Sequence, residues 1–149
     1  MDSKDIVIDL KLNVSIEEVW ELWTNSKSLE AWLTTKANVD SHVGGAYELF
    51  WNPSTPKDIS TLGCKIIALE LEKVLAFQWR GPVPFADLMN VEPFPTCAFV
   101  TFEALSLNQT LMHFRHSGWG EGNRWDAARQ WQMNAWTVAF KELAPITSK

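Results

Sequence analysis

The last third of the chain sets the strongest constraint on what it can fold into. Residues 109–116 alternate as a strand, Ser117-Gly118-Trp119 interrupts, and a helical pattern then runs from Arg124 to Leu143, carrying Trp125, Trp131 and Trp136. A helix of about 20 residues is roughly 30 Å long. One this aromatic needs a broad apolar floor, and the strands before it must supply that floor. A long helix laid on a curved sheet commonly leaves a hollow between the two layers. The functional question is whether Trp side chains fill that hollow or leave it open to a ligand.

The upstream chain reads as such a floor. Residues 5–14 alternate, with Ile6, Ile8, Leu10 and Leu12 on one side and Val7, Asp9, Lys11 and Asn13 on the other, as in a half-buried strand. Ser15 and Glu18 have capping-box spacing, and Val14 with Val19 that of a hydrophobic staple. Ile16, Val19, Trp20 and Trp23 then share a helical face. A second short helix is expected, capped by Ser26 and burying Leu29, Trp32 and Leu33. The pair resembles a DNA-reading helix-turn-helix in geometry only, because Glu17, Glu18, Glu21 and Glu30 line its exposed faces. Strands follow. Residues 36–41 form a weak one, Gly44-Gly45 a turn, and 46–51 a strand with Tyr47, Leu49 and Trp51 together. Residues 52–58 are a loop. Residues 63–71 are apolar on both faces, which leaves the inward side open, and 73–80 place Leu75, Phe77 and Trp79 on one side. Four prolines exclude residues 81–95 from any central strand. Yet this stretch carries Phe85, Leu88, Met89, Val91 and Phe94, so it must cover something. Residues 96–103 and 110–116 complete the sheet. The order predicts an α+β domain: one antiparallel sheet with helices on one face.

Size and charge narrow the function classes. A chain of 149 residues is expected to form one domain, spanning residues 1–149, and to bury roughly two-thirds of its unfolded surface. A net charge of −5, with 13 scattered Lys and Arg, speaks against nucleic-acid binding and anionic membrane surfaces. No apolar run reaches the length of a membrane span, and no signal segment opens the chain, so a cytoplasmic location is the default. Cys64 and Cys97 form neither a disulfide framework nor a metal motif, and they read as small core hydrophobes.

Few residues suggest chemistry. His113 and His116 lie three apart on a strand and so face opposite ways, while His42 has no carboxylate cluster beside it. Neither a metal nor any other cofactor is therefore expected. His116 lies on the apolar side with Met112 and Phe114. It reads either as a core histidine with satisfied hydrogen bonds or as a polar handle in a pocket. Ser117 has no nucleophile-elbow context, and Gly118, Gly120 and Gly122 lack the Lys-Ser/Thr of a phosphate loop. On the last helix, Trp125, Ala128, Gln132, Ala135, Trp136, Ala139 and Leu143 make a stripe, with Arg129 at its edge and Trp131 and Val138 outside it. Small residues there leave volume, and Gln132 could orient a ligand.

An ordered set of segments now acquires a meaning. Val19-Trp20, Leu29-Glu30-Ala31-Trp32-Leu33, Val43-Gly44-Gly45-Ala46-Tyr47, Gly63, the strand from Thr110 to Trp119, and Trp136 with Leu143 together resemble the START-like (SRPBCC) superfamily. The branch they are most similar to is the one named after the activator of the heat-shock protein ATPase. The resemblance covers nearly the whole chain. It implies a helix-grip fold, in which a curved seven-stranded antiparallel sheet grips the C-terminal helix with an apolar cavity between them.

The expected function is binding of an apolar small molecule or lipid in that cavity, with no catalytic residue assigned. Its candidate lining is Tyr47, Trp51, Phe77, Trp79, Phe102, Phe114, His116, Gln132 and Trp136. Phe85, Leu88 and Met89 are expected to close over the mouth as a lid. The alternatives are a START-like cyclase or hydrolase, for which His116, Gln132 and Arg129 are the polar candidates, and a chaperone-accessory interaction domain. The family's co-chaperones carry a separate chaperone-binding domain that these residues do not supply, so chaperone activation is not the first expectation.

Overall fold

The computed structural model describes residues 4–55 and 58–143. The chain order is strand β1 (Ile6–Leu12), helices α1 (Ile16–Thr24) and α2 (Ser26–Trp32), and strands β2 (Lys36–Val39), β3 (Tyr47–Phe50), β4 (Ile66–Glu70) and β5 (Val74–Gln78). A 3-10 turn (Val83–Phe85) then leads into the short helix α3 (Ala86–Met89). Strands β6 (Cys97–Ser106) and β7 (Gln109–Ser117) and the long helix α4 (Asn123–Lys141) complete the fold.

The seven strands are antiparallel, but they divide. Five form the main sheet in the order β1-β7-β6-β5-β4, and β2 pairs only with β3 in a two-stranded wing. Single bridges, Ala46 to Lys65 and Phe50 to Ser60, join the wing to the rest. Thr61 reinforces the join. Its hydroxyl donates to the Tyr47 carbonyl and accepts from the Leu49 amide, each at 2.8 Å, so a side chain serves as an extra rung for β3.

Register explains why one face of the main sheet is a floor. Ile6, His116, Ala98, Phe77 and Ile66 form one cross-strand row, and Ile8, Phe114, Val100, Leu75 and Leu69 the next. Period-two alternation sends these side chains to one face, with a bulge between Ile66 and Ala68 bringing Leu69 of β4 back into register. That settles the inward side of β4, where Ile66 is buried and Ile67 is exposed. On this floor α1 sets Trp23, which is fully buried. Its ring lies 5.0 Å from that of Trp32, 6.0 Å from Phe114, 6.1 Å from Phe140 and 6.3 Å from Trp136. Helix α4 buries Ala128, Gln132, Trp136 and Phe140, spaced four apart. The layer between sheet and helices is therefore packed with aromatic rings.

Local signals place the helix ends. The Ser15 hydroxyl accepts from the Glu18 amide at 3.3 Å and caps α1. Helix α2 is capped by Asn25 rather than Ser26: the Asn25 side-chain Oδ1 accepts from the Ser28 amide, while the Ser26 hydroxyl accepts from the Val39 amide of β2. At Gly118 the backbone has φ 98°, and a β-carbon there would collide with the Pro95 carbonyl, so the turn after β7 needs glycine.

The proline-rich stretch is more ordered than its composition suggests. Pro84 suits a helix start, where its missing N–H costs nothing. Asn90 clasps Gly81 through two hydrogen bonds of 2.7 and 2.9 Å, closing the segment into a loop with Met89 buried beneath it. Trp23→Ala should lower the unfolding free energy by about 3–5 kcal/mol in denaturant titrations, since it opens a cavity where α1, α4 and the sheet meet.

Candidate functional site: a tryptophan-lined groove

His116 occupies the centre of the packed layer, fully buried. The Trp136 indole N–H donates to its Nδ1 at 3.0 Å. Because an indole nitrogen can only donate, Nδ1 must be the acceptor. Nε2 therefore carries the proton and donates to the Thr96 hydroxyl at 3.0 Å. Burial disfavours the charged imidazolium and pulls the pKa down to about 3. Trp119 adds a bond from its indole to the His116 carbonyl at 2.9 Å. His116 is a neutral structural link between β7, Thr96 and α4.

The other polar candidates are also engaged. The Gln132 amide oxygen accepts from the Trp79 indole at 3.0 Å. Arg129 donates to the carbonyls of Lys4 and Asp5 and fastens the segment before β1 to α4. His113 faces outward, 2.9 Å from Asp9 and 3.8 Å from Glu103, and His42 is exposed beside Asp40. Burial pushes the Cys64 thiol up to about 12, and burial also raises Cys97. Among the described residues, no three His, Cys, Asp or Glu side chains gather as a metal site, and no helix is long and apolar enough to cross a membrane.

Among the described residues, a concavity lies at the flank of α4, beside rather than between α4 and the main sheet. It is a groove of about 600 Å³, within the usual range for small-molecule sites. Trp79, Gln132 and Trp136 form its buried floor. One wall is a second face of α4, with Trp131, Ala135, Val138 and Ala139, ending at Glu142. The opposite wall is the end of α2 and the wing, with Trp32, Leu33, Trp51, Ile59 and Ser60. Arg80, Gly81 and Pro82 close the end beyond β5. Trp51 meets Trp79 edge to face at 5.9 Å, and its indole is held by the Leu33 carbonyl at 2.9 Å.

Of the residues expected from sequence to line a cavity, Trp51, Trp79, Gln132 and Trp136 meet in this groove. Tyr47, Phe77, Phe102, Phe114 and His116 are buried in the core instead. Their alternation marks the inward face, and that face is filled by Trp23, Trp136 and Phe140. Phe85 and Leu88 are half-buried against the core and Met89 is fully buried. Only Gly81 and Pro82 of that segment reach the groove. The segment is pinned by Arg124, which pairs with Asp87 and donates to the Pro84 carbonyl. Trp131 and Val138, outside the stripe read from sequence, are groove residues. A signal for them was present, since 131, 135, 138 and 142 share a helical face of their own.

An antiparallel sheet packed against a long C-terminal helix, with two helices inserted after the first strand, defines the helix-grip, START-like class. Within that class, the family described as Activator of Hsp90 ATPase homolog 1-like protein matches residues 13–146, and the chain belongs to it. Solved structures share the fold at low identity. A protein from Mesorhizobium loti is 18% identical with a TM-score of 0.72, and the match covers 93% of each chain. The Aha1 dimer from Colwellia psychrerythraea is 21% identical with a TM-score of 0.71, covering 96% of this chain and 95% of that one. An HSP90 activator from Plasmodium falciparum is 19% identical with a TM-score of 0.71, covering 95% and 94%. Comparison with curated protein sequences finds no match.

The depressed His116 pKa has a testable sign. Between pH 6.5 and about 3 the unfolded chain protonates this histidine and the folded chain does not. Its contribution is thus complete above pH 6.5 and is lost as pH falls toward 3. Carboxylates titrate in both proteins. The stability difference between wild type and His116→Gln should therefore isolate the histidine, shrinking by a few kcal/mol from pH 7 to 4 in denaturant titrations.

Proposed function

We propose that this protein binds an apolar small molecule or lipid in the groove between α4 and the β2–β3 wing. The observation that carries this reading is the lining. Five tryptophans (Trp32, Trp51, Trp79, Trp131 and Trp136) stand around Ala135, Ala139 and Gly81. Large rigid aromatic walls beside small residues make a slot wide enough for a ring, and its mostly apolar surface rewards desolvation. Burying about 300 Å² of apolar surface across ligand and groove yields roughly 7 kcal/mol before association costs are subtracted. Few charged groups interrupt the lining, as ligand pockets require.

The reading places binding outside the aromatic core, so it can be tested without disturbing the core. Ala135→Trp fills the slot from its wall, where Ala135 is only half-buried. Binding of the neutral dye N-phenyl-naphthylamine, followed by its fluorescence, should weaken at least about ten-fold while far-UV circular dichroism is unchanged, since roughly 1.4 kcal/mol is a factor of ten. Unaltered dye binding in a folded Ala135→Trp protein would exclude the groove.

A second reading is a chaperone-accessory role. It is favoured by the name of the family and by Trp131, a large aromatic left 39% exposed, since Trp is enriched at interface hot spots. On this reading an Hsp90-type chaperone is retained in a pull-down by the wild type and lost with Trp131→Ala. No retention by the wild type would remove it. Catalysis has less support, because His116, Gln132 and Arg129 are all engaged in hydrogen bonds within the fold.

A further inference from the structure

Four of the five tryptophans around the groove spend their indole N–H inside the fold. Trp32 donates to the Leu22 carbonyl at 2.7 Å, Trp51 to the Leu33 carbonyl at 2.9 Å, Trp136 to His116 Nδ1 at 3.0 Å and Trp79 to Gln132 Oε1 at 3.0 Å. The last of these bonds settles which way the Gln132 carboxamide is turned. An indole nitrogen can only donate, so the atom facing Trp79 is the amide oxygen, and the NH2 group lies on the other branch.

That NH2 group has no acceptor among the described residues, because the bond from Trp79 is the one hydrogen bond the Gln132 side chain makes there. The residue is only 3% exposed. Its nitrogen is nevertheless not sealed in. Among the described residues, the unpaired side-chain nitrogen shut off from all open space is Arg80 Nε, not Gln132 Nε2. The open space that Gln132 borders is the groove, whose floor it forms with Trp79 and Trp136. Ala135, three residues on, leaves room beside it. Buried N–H groups in folded proteins are nearly always paired. An amide with its oxygen held and its nitrogen left over is a fixed donor, aimed at whatever lies on the floor.

We propose that the groove takes an aromatic ketone, its flat ring system among the tryptophans and its neutral carbonyl oxygen on Gln132 Nε2. A carbonyl accepts hydrogen bonds and brings no N–H or O–H of its own to be left unpaired against the indoles. A bare hydrocarbon would shut the NH2 group off from water with nothing in exchange. A carboxylate would have to shed its hydration over a neutral floor, which costs more than one amide donor returns. This rests on the reading of the groove as a binding site, and the experiment separates the two.

The probes are 2-acetylnaphthalene and 2-isopropenylnaphthalene, in which a CH2 group replaces the ketone oxygen. Affinities are measured by isothermal calorimetry on the full chain. Gln132→Met removes the donor and keeps the volume. Its sulfur remains an acceptor for the Trp79 indole, a pairing the fold already uses between Trp23 and Met112 at 3.2 Å. This variant should weaken the ketone at least about three-fold relative to the alkene, as expected for the loss of one neutral hydrogen bond. In 15N-labelled wild type, the ketone should move a side-chain amide proton of Gln132 downfield and the alkene should not. Ala135→Trp should weaken both probes. An unchanged ratio of the two affinities in a folded Gln132→Met protein overturns the Gln132 assignment and leaves the groove standing. So does a Gln132 amide that responds alike to both probes, and this arm decides alone if the variant does not fold. Failure of both probes to bind the wild type, or their indifference to Ala135→Trp, overturns the groove reading and this inference with it.

Discussion

The hydrogen bond from Trp136 to His116 is the contact on which the rest of the arrangement depends. Apolar packing between a helix and a sheet is strong but has little direction, and an aromatic layer could settle in more than one register. Trp136 and Gln132 lie one turn apart on α4, and each bonds to a residue of the sheet layer, His116 and Trp79. Shifting the helix by a turn would strand four polar groups in the interior, each at the full desolvation cost. Thr96 completes the chain by accepting from the far side of the imidazole. The same pattern recurs elsewhere: Trp32 donates to the Leu22 carbonyl, Trp51 to Leu33 and Trp23 to the Met112 sulfur. The tryptophans supply volume and also the pins that hold it in place.

With the helix so fixed, its two faces take different roles. Ala128, Gln132, Trp136 and Phe140 face the sheet, and the adjoining face carries Trp131, Ala135 and Val138 to the groove. A helix rotates by about 100° per residue, so Trp131 forms an exposed wall of the groove while Gln132 and Trp136, buried against the sheet layer, form its floor. The polar atoms of the core are consumed in positioning. On the proposed reading, ligand recognition falls to the second face, the wing and the Trp79–Trp136 floor.

The main sheet was legible in the sequence because period-two alternation is a local signal. Ile6 to Leu12, Leu75 to Trp79 and Met112 to His116 each show their inward side within a few residues. The cap of α1 was legible for the same reason. Asn25 and Ser26 are both competent caps, and only the extended backbone of Asn25 (φ −96°, ψ 124°) decides between them. The groove was not legible. Whether the second face of α4 meets solvent or a wall depends on where a four-residue strand pair comes to rest, and that is settled by long-range contacts such as Thr61 to Tyr47. The aromatic residues of the sheet mark an inward face, but alternation carries no measure of how much volume the opposite layer supplies. Here Trp23 and Phe140 supply enough to fill it. The prolines of residues 81–95 exclude a central strand but not a helix, and Pro84 with Asp87 three residues later is a competent helix opening.

The division of the seven strands into five and two has an evolutionary consequence. The wing is not a strand of the main sheet and is tied to the rest of the fold by the chain around residues 44–47 and 59–66, whereas β1, β7, β6, β5 and β4 share one continuous register. Substitutions at Trp51, Ile59 or Ser60 would reshape one wall of the groove while leaving the register of the five-stranded sheet untouched. Changes at Trp23, Trp136 or His116 would disturb the whole domain at once. Such an arrangement lets the groove wall vary while the scaffold stays constant, in keeping with chains that hold one fold at about one-fifth identity.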